Sequence, residues 1–162
     1  AFDSAYRVPA LVRYPSKGGG LKRSVSRAVS LVDFAPTILD AAGLLGEIPA
    51  ERFSGRSLLP FIEGSEPADW DDTQYLMTNG NELYGIQRIV RTPEWKYVYN
   101  GFDLDELYNL KEDPGELRNR IDDPACVEVV KELCTRMWRF GRKHGERAIN
   151  PALAPYGPAC AL

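Results

Sequence analysis

The stretch Arg91-Thr92-Pro93-Glu94-Trp95-Lys96-Tyr97-Val98-Tyr99-Asn100, continued by Glu106-Leu107-Tyr108-Asn109-Leu110-Lys111-Glu112-Asp113-Pro114-Gly115-Glu116-Leu117-Arg118-Asn119, decides the fold class. Short β-branched and aromatic runs alternate with turn residues. Arg91-Thr92 ends one strand, Lys96–Asn100 and Glu106–Leu110 form two more, and Asp113-Pro114-Gly115-Glu116 turns the chain. Asn100-Gly101 is a turn signal that accepts positive φ without strain. Toward the N-terminus, Thr73–Thr78 and Tyr84–Arg91 are further β-rich runs, joined through Asn79-Gly80-Asn81. Four such runs read as an antiparallel meander.

Toward the C-terminus, Asp122-Asp123-Pro124 is a helix start, with carboxylates at the positive end and Pro in the first turn. Val127, Val130, Leu133, Cys134, Met137, Trp138 and Gly141 then recur at helical spacing. They predict an amphipathic helix to about His144, its apolar stripe lying on the four-stranded sheet. Residues 151–162, with three prolines, read as a loose tail.

The N-terminal part has a different grammar. Arg7–Tyr14 is apolar on both faces, as in a strand inside a covered parallel sheet, although Pro9 suits an edge or a strand start. This strand has no βαβ partner elsewhere in the chain. Pro15–Lys22 is a Gly-rich loop and Ser26–Leu31 a short extended stretch. Asp33 is the expected N-cap of a helix with Pro36 in its first turn and Gly43 at its end. Gly46–Gly55 reads as loop, and Ser57–Ile62 as a short helical turn closed by Gly64. The polar, acidic segment Ser65–Asp72 marks the boundary between two regions.

The 162 residues allow one domain with a core, or a small domain plus part of another. A net charge of -3 without a concentrated basic face argues against a nucleic-acid partner. Lys17 and Lys22-Arg23 around Gly18-Gly19-Gly20 read as a solvated loop, since no helix follows to make a phosphate cradle. No apolar run approaches the roughly 20 residues of a membrane span, so a soluble chain is expected. No targeting segment is present in this chain. It opens Ala1-Phe2-Asp3 without an initiator Met, compatible with processing or with a piece of a longer chain, and its compartment stays open.

The chemistry of a hydrolase needs a nucleophile, an acid/base pair and charge stabilisation close together. His144, the single histidine, follows Arg142-Lys143 and reads as a helix C-terminus rather than a base. Cys126 and Cys134 sit eight positions apart on one helix, about 12 Å, beyond disulfide reach. Together with Cys160 they read as idle thiols. Asp69, Asp71 and Asp72, and likewise Asp103, Asp105 and Glu106, lack the spacing of a calcium loop and read as solvated turns.

Four landmarks supply what composition does not. They are Tyr6-Arg7-Val8-Pro9, Ser30-Leu31-Val32-Asp33-Phe34-Ala35-Pro36-Thr37 with Gly43, Gly55-Arg56-Ser57-Leu58-Leu59-Pro60, and the Arg91–Asn119 pattern. Their order and spacing over residues 1–120 resemble the last third of a sulfatase, of the alkaline-phosphatase-like superfamily. The resemblance implies an α/β enzyme, α+β within this segment. Residues 1–64 would end the large α/β domain, and residues 65–150 would form a small four-stranded antiparallel sheet with one long helix. It also implies a formylglycine nucleophile, made from a Cys-x-Pro-x-Arg motif, and a calcium ion, both upstream. Cys126, Cys134 and Cys160 do not match that motif, so no catalytic, metal or cofactor residue is expected in this segment.

The expected partners are the missing N-terminal catalytic domain and a sulfate ester, such as that of a sulfated carbohydrate. The segment alone is expected to be inactive. A phosphonate or phosphate monoester hydrolase of the same superfamily, or a free-standing non-catalytic binding module, are the alternatives. The loop Thr78–Tyr84 is the candidate for substrate contact, through Asn79, Asn81 and Tyr84, whose amides and phenol suit sugar hydroxyls. Arg7, Arg91 and Lys96 are expected to hold the fold by pairing with carboxylates or helix ends.

Overall fold

Aromatic and β-branched residues at alternate positions make Trp95-Lys96-Tyr97-Val98-Tyr99 a strand, and every neighbouring element is built onto it. The computed structural model of the chain describes residues 2–15, 23–79, 86–101 and 103–146. In chain order the elements are α1 (Asp3–Tyr6), α2 (Phe34–Ala41), α3 (Leu59–Ile62), β1 (Gln74–Thr78), β2 (Gln87–Arg91), β3 (Trp95–Asn100), β4 (Glu106–Asn109) and α4 (Val127–Lys143). The described residues fall into two compact units, one drawn from Ala1–Tyr6 and Thr73–Leu162, the other from Arg7–Asp72.

In the first unit the strands form the expected meander in the order β1-β2-β3-β4, each pair antiparallel. The register aligns Tyr75, Val90, Tyr97 and Leu107 in one row across the sheet. That row packs with Val130, Leu133, Cys134, Met137 and Trp138 of α4 in one buried cluster. Each fully buried apolar side chain contributes about 1.5–3 kcal/mol, so this face dominates the unit's stability. Alternation sends Ile89 and Val98 to the opposite face, where they are buried as well. Burial on both faces explains why β2 and β3 read as nearly continuous apolar runs.

The helix begins where the sequence places it. Asp123 accepts the Ala125 N–H at 2.9 Å, and Pro124–Cys126 form a 3-10 turn leading into α4. Its end is a Schellman motif: Gly145 at φ 72° lets its N–H reach Arg142 O, while the Glu146 N–H reaches Gly141 O at 2.8 Å. The edge strand β4 is finished by a side chain. Asn119 Oδ1 accepts the Leu107 N–H at 2.9 Å, and the Arg120 N–H returns to Leu107 O at 2.8 Å. The open edge is thereby paired within the chain.

The charged residues of this unit are internal. Lys96 is 1% exposed and Glu116 5%, and the two form an ion pair. Glu116 Oε2 also accepts the Asp3 N–H at 2.6 Å. Asp3 in turn takes Arg91 through Nε and Nη2, the latter at 2.8 Å. Glu116 sits at φ 53°, a left-handed conformation unusual for a residue with a Cβ. The Asp113-Pro114-Gly115-Glu116 turn imposes it, and the buried partner keeps it. Arg91 and Lys96 are thus fold-holding cations, as the sequence suggests; Arg7 is exposed and makes no ion pair among the described residues.

The unit Arg7–Asp72 is organised by Asp33. It occupies the expected N-cap position of α2, but its side chain makes no hydrogen bond to that helix's own N–H groups. Its carboxylate accepts the Ser30 N–H at 2.7 Å and the Arg56 N–H at 2.9 Å. Thr37 extends the bridge: its hydroxyl accepts the Leu58 N–H at 2.8 Å. Two of the sequence landmarks are therefore stitched together by buried side chains. Gly55 is required at that seam, because a Cβ there would stand 2.6 Å from Asp33 Oδ1 and collide with the Val32 carbonyl. Trp70 closes the unit's small core edge-on to Phe61 at 4.8 Å, its indole N–H donating to Ala28 O. Burial pushes the Asp72 carboxyl up, yet the Arg27 guanidinium and the Ala28 N–H together hold it below the usual range.

One expected element is absent. Residues 7–15 form no strand, since no neighbouring strand supplies their hydrogen bonds among the described residues. Val8 is 59% and Leu11 95% exposed. The short stretch expected at Ser26–Leu31 is likewise unpaired. Most of the Gly-rich loop, Cys160 and the proline-containing tail lie outside the described residues.

Replacing Glu116 by Gln leaves the buried Lys96 with only the more distant Asp3 carboxylate, 3.8 Å away. We expect a loss of about 3 kcal/mol, read as a lowered denaturation midpoint with an unchanged slope in urea.

Candidate functional site

Arg88 is the charged residue that the β-pattern turns inward. It lies on the same face of β2 as Val90, between Met77 and Tyr99 in register, and is 4% exposed. A buried guanidinium must place its five N–H donors. Here Nε donates to Glu146 Oε2 at 2.9 Å, and Nη1 to the carbonyls of Thr78 (2.9 Å) and Gln87 (2.8 Å). Nη2 donates to Asn79 Oδ1 at 2.9 Å and reaches Glu146 Oε2 at 2.8 Å. One side chain thus braces the end of β1, the start of β2 and the residue that follows the Schellman turn of α4.

Asn79, the first predicted substrate residue, is exposed at the end of β1 and held by this guanidinium. Asn81 and Tyr84 lie outside the described residues. The expected loop is therefore seen at its two stems, Asn79 and Ile86. Sequence reasoning does not pick out Arg88 and Glu146. The available signal is a charge at an inward-alternating strand position, which demands a buried counter-charge.

A cavity of about 240 Å³ adjoins Arg88, lined by Tyr75, Met77, Met137, Phe140, His144 and Glu146 among others. Tyr75 stacks on Phe140 at 4.0 Å, and Phe140 meets His144 at 4.4 Å. Burial, and then the neighbouring Lys143 charge, hold the His144 imidazole below its ordinary pKa. At neutral pH it is uncharged.

Several other titratable groups are committed to the fold. Burial raises Cys126, giving an unreactive thiol. Burial also raises Asp105, which accepts the Tyr97 hydroxyl at 2.6 Å and the Asn100 N–H at 2.9 Å. Asp69 and Asp72 take Arg56 and Arg27. Among the described residues no group of three or more His, Cys, Asp or Glu is placed to hold a metal ion, so these residues do not fit a calcium site. What the arrangement provides is a rigid, braced rim. Among the described residues no helix is long and apolar enough to cross a membrane.

Comparison with known proteins bears on what that rim belongs to. The family described as N-sulphoglucosamine sulphohydrolase, C-terminal, matches residues 1–143. N-acetylglucosamine-6-O-sulfatase of Bacteroides thetaiotaomicron is 36% identical over 146 residues, covering 82% of this chain and 24% of that protein. A solved complex with the substrate D-glucosamine-2-N,6-O-disulfate superposes with a TM-score of 0.62 at 30% identity, covering 72% of this chain and 24% of the other. Phosphonate monoester hydrolase of Agrobacterium radiobacter superposes with a TM-score of 0.66 at 26% identity, covering 75% and 26%. The chain spans about a quarter of the length of the curated sulfatases it matches.

The depressed His144 pKa has a definite sign. The unfolded chain takes up a proton near the ordinary value while the folded imidazole resists it, so stability falls as pH drops through about 6.5. Thermal melts from pH 7.5 to 5.5 should show this decline, and His144→Gln should make it shallower.

Proposed function

The chain belongs to the sulfatase family, as the C-terminal region of an alkaline-phosphatase-like enzyme, and we propose that the enzyme it completes hydrolyses the sulfate ester of a sulfated carbohydrate. The observation that carries the substrate class is the 36% identity with N-acetylglucosamine-6-O-sulfatase over 82% of this chain. On this reading the sulfuric ester hydrolase chemistry, with formylglycine as nucleophile and calcium as the charge-stabilising ion, is supplied by the preceding part of the enzyme. The segment by itself is inactive. Residues 1–64 complete the large domain, with Asp3–Tyr6 anchored to the small sheet, and residues 65–150 form the small subdomain.

The partner is then the catalytic domain. Support comes from apolar side chains of the unit Arg7–Asp72 that are left exposed: Val8, Leu11, Val12, Leu31 and Ile38. Five large apolar side chains are thus left to solvent in a unit whose own buried apolar cluster is Leu58, Phe61 and Trp70. The rim carrying Asn79, followed in sequence by Asn81 and Tyr84, is assigned to the mouth of the catalytic pocket, where it meets the substrate.

A second reading, phosphonate or phosphate monoester hydrolysis, is supported by the likeness to the Agrobacterium radiobacter enzyme. Product analysis separates the two. The enzyme containing this segment should release inorganic sulfate from N-acetylglucosamine 6-sulfate; cleavage of a phosphonate monoester with no sulfate release would favour the second reading. The docking assignment has its own check. Leu11→Asp should lower the melting temperature of the whole enzyme by several degrees. In the 162-residue chain alone, where Leu11 is 95% exposed, it should change stability by no more than about 0.5 kcal/mol.

A further inference from the structure

Arg88 is engaged on all three of its nitrogens. It makes four hydrogen bonds, to Glu146, to the Thr78 and Gln87 carbonyls and to Asn79, and Nη2 is also in ion-pair contact with Glu146. Buried and committed to these protein acceptors, it is not itself offered to a substrate. Its effect on Asn79 is nevertheless specific. A guanidinium only donates, so the Asn79 amide must turn its oxygen toward Arg88. Rotating that amide by half a turn would set N–H against N–H. The Nδ2 group consequently faces away from Arg88, and it has no hydrogen-bond partner among the described residues. Asn79 itself is exposed.

We propose that Arg88 is a positioning residue that makes Asn79 a fixed two-proton donor, directed at an acceptor-rich anionic group of the substrate such as a sulfate. This rests on the assignment of the Asn79 rim to the pocket mouth. A free asparagine amide can offer a substrate either face; one pinned by a buried arginine offers only its donors. Glu146 is part of the same device. It supplies the carboxylate that keeps Arg88 buried and oriented, and the Schellman turn at Gly145 places it there. A lysine at position 88 could not serve, because three donors on a flexible stem cannot hold these acceptors in one plane.

The test uses the whole enzyme with N-acetylglucosamine 6-sulfate. Asn79→Asp retains the shape and can still pair with Arg88, so its melting temperature should stay at or above that of the unaltered enzyme. It removes the outward donors and adds negative charge, so KM should rise roughly tenfold or more with kcat within about twofold. Asn79→Ala should raise KM roughly threefold to tenfold, the worth of one or two hydrogen bonds. Arg88→Lys should raise KM about as much, and the double variant should be no worse than the weaker single one. An unchanged KM in Asn79→Asp overturns the proposal. So does an Arg88→Lys effect that adds in full to Asn79→Ala, since Arg88 would then act only on the fold.

If the enzyme cleaves phosphonate monoesters and no sulfate ester, the reaction reading fails. The same KM comparison on phenyl methylphosphonate then decides the role of Asn79, whose donors suit phosphonate oxygens equally. With whichever of the two substrates the enzyme turns over, a side-chain amide signal of Asn79 left unshifted in ¹⁵N spectra overturns the proposal.

Discussion

The buried pair of Lys96 and Glu116 is the constraint around which the sheet unit is assembled. A lysine 1% exposed in the central strand β3 cannot stand there without a carboxylate, and folding the Asp113–Glu116 turn back over the sheet delivers one. That fold-back requires a left-handed Glu116 and brings Asn119 against β4. It also offers Glu116 Oε2 to the Asp3 N–H, which ties α1 to a residue 113 positions away. Arg91 completes the arrangement from β2 through Asp3. The ion pair thereby links β2, β3, the turn after β4 and the first helix. An apolar pair could have packed this space, but it would not have specified which turn conformation and which N-terminal segment belong there.

The unit Arg7–Asp72 uses the same physics at smaller scale. Its apolar core is little more than Leu58, Phe61 and Trp70, so polar side chains carry the long-range order. Asp33 and Thr37 satisfy the backbone N–H groups of Arg56 and Leu58, far along the chain, and Gly55 allows the close approach. Regular structure is short because such bonds hold loops in place without needing a ladder. The same thin core leaves Leu11, Leu31 and Ile38 outside.

The meander and α4 are legible in the sequence because their signals are local and repetitive. Alternation in Trp95–Tyr99 and the Val130, Leu133, Cys134, Met137, Trp138 stripe each report one buried face, and turn residues mark the ends. The pairing of Arg91 and Lys96 with carboxylates is also legible, although their partners are not. The strand expected at Arg7–Tyr14 fails for a complementary reason. An apolar run has the propensity of a strand, but a strand exists only where another one supplies hydrogen bonds. Asn79 is legible as a polar loop residue. That Arg88 grips its oxygen is not, because residues 79, 88 and 146 meet only after β1 and β2 are in register and α4 has ended at Gly145.

The sequence by itself determined the antiparallel sheet, the amphipathic helix, their boundaries to within a few residues and, through four landmarks, the family. These depend on periodicity, turn chemistry and spacing, which are properties of neighbouring residues. Tertiary structure alone decided which charges are buried, that the Asp33 carboxylate at the N-cap of α2 reaches Arg56 of a second motif, and which way the Asn79 amide points. Those outcomes depend on where donors and acceptors from distant segments come to rest. A buried polar group must be satisfied by whatever the fold brings within about 3 Å of it.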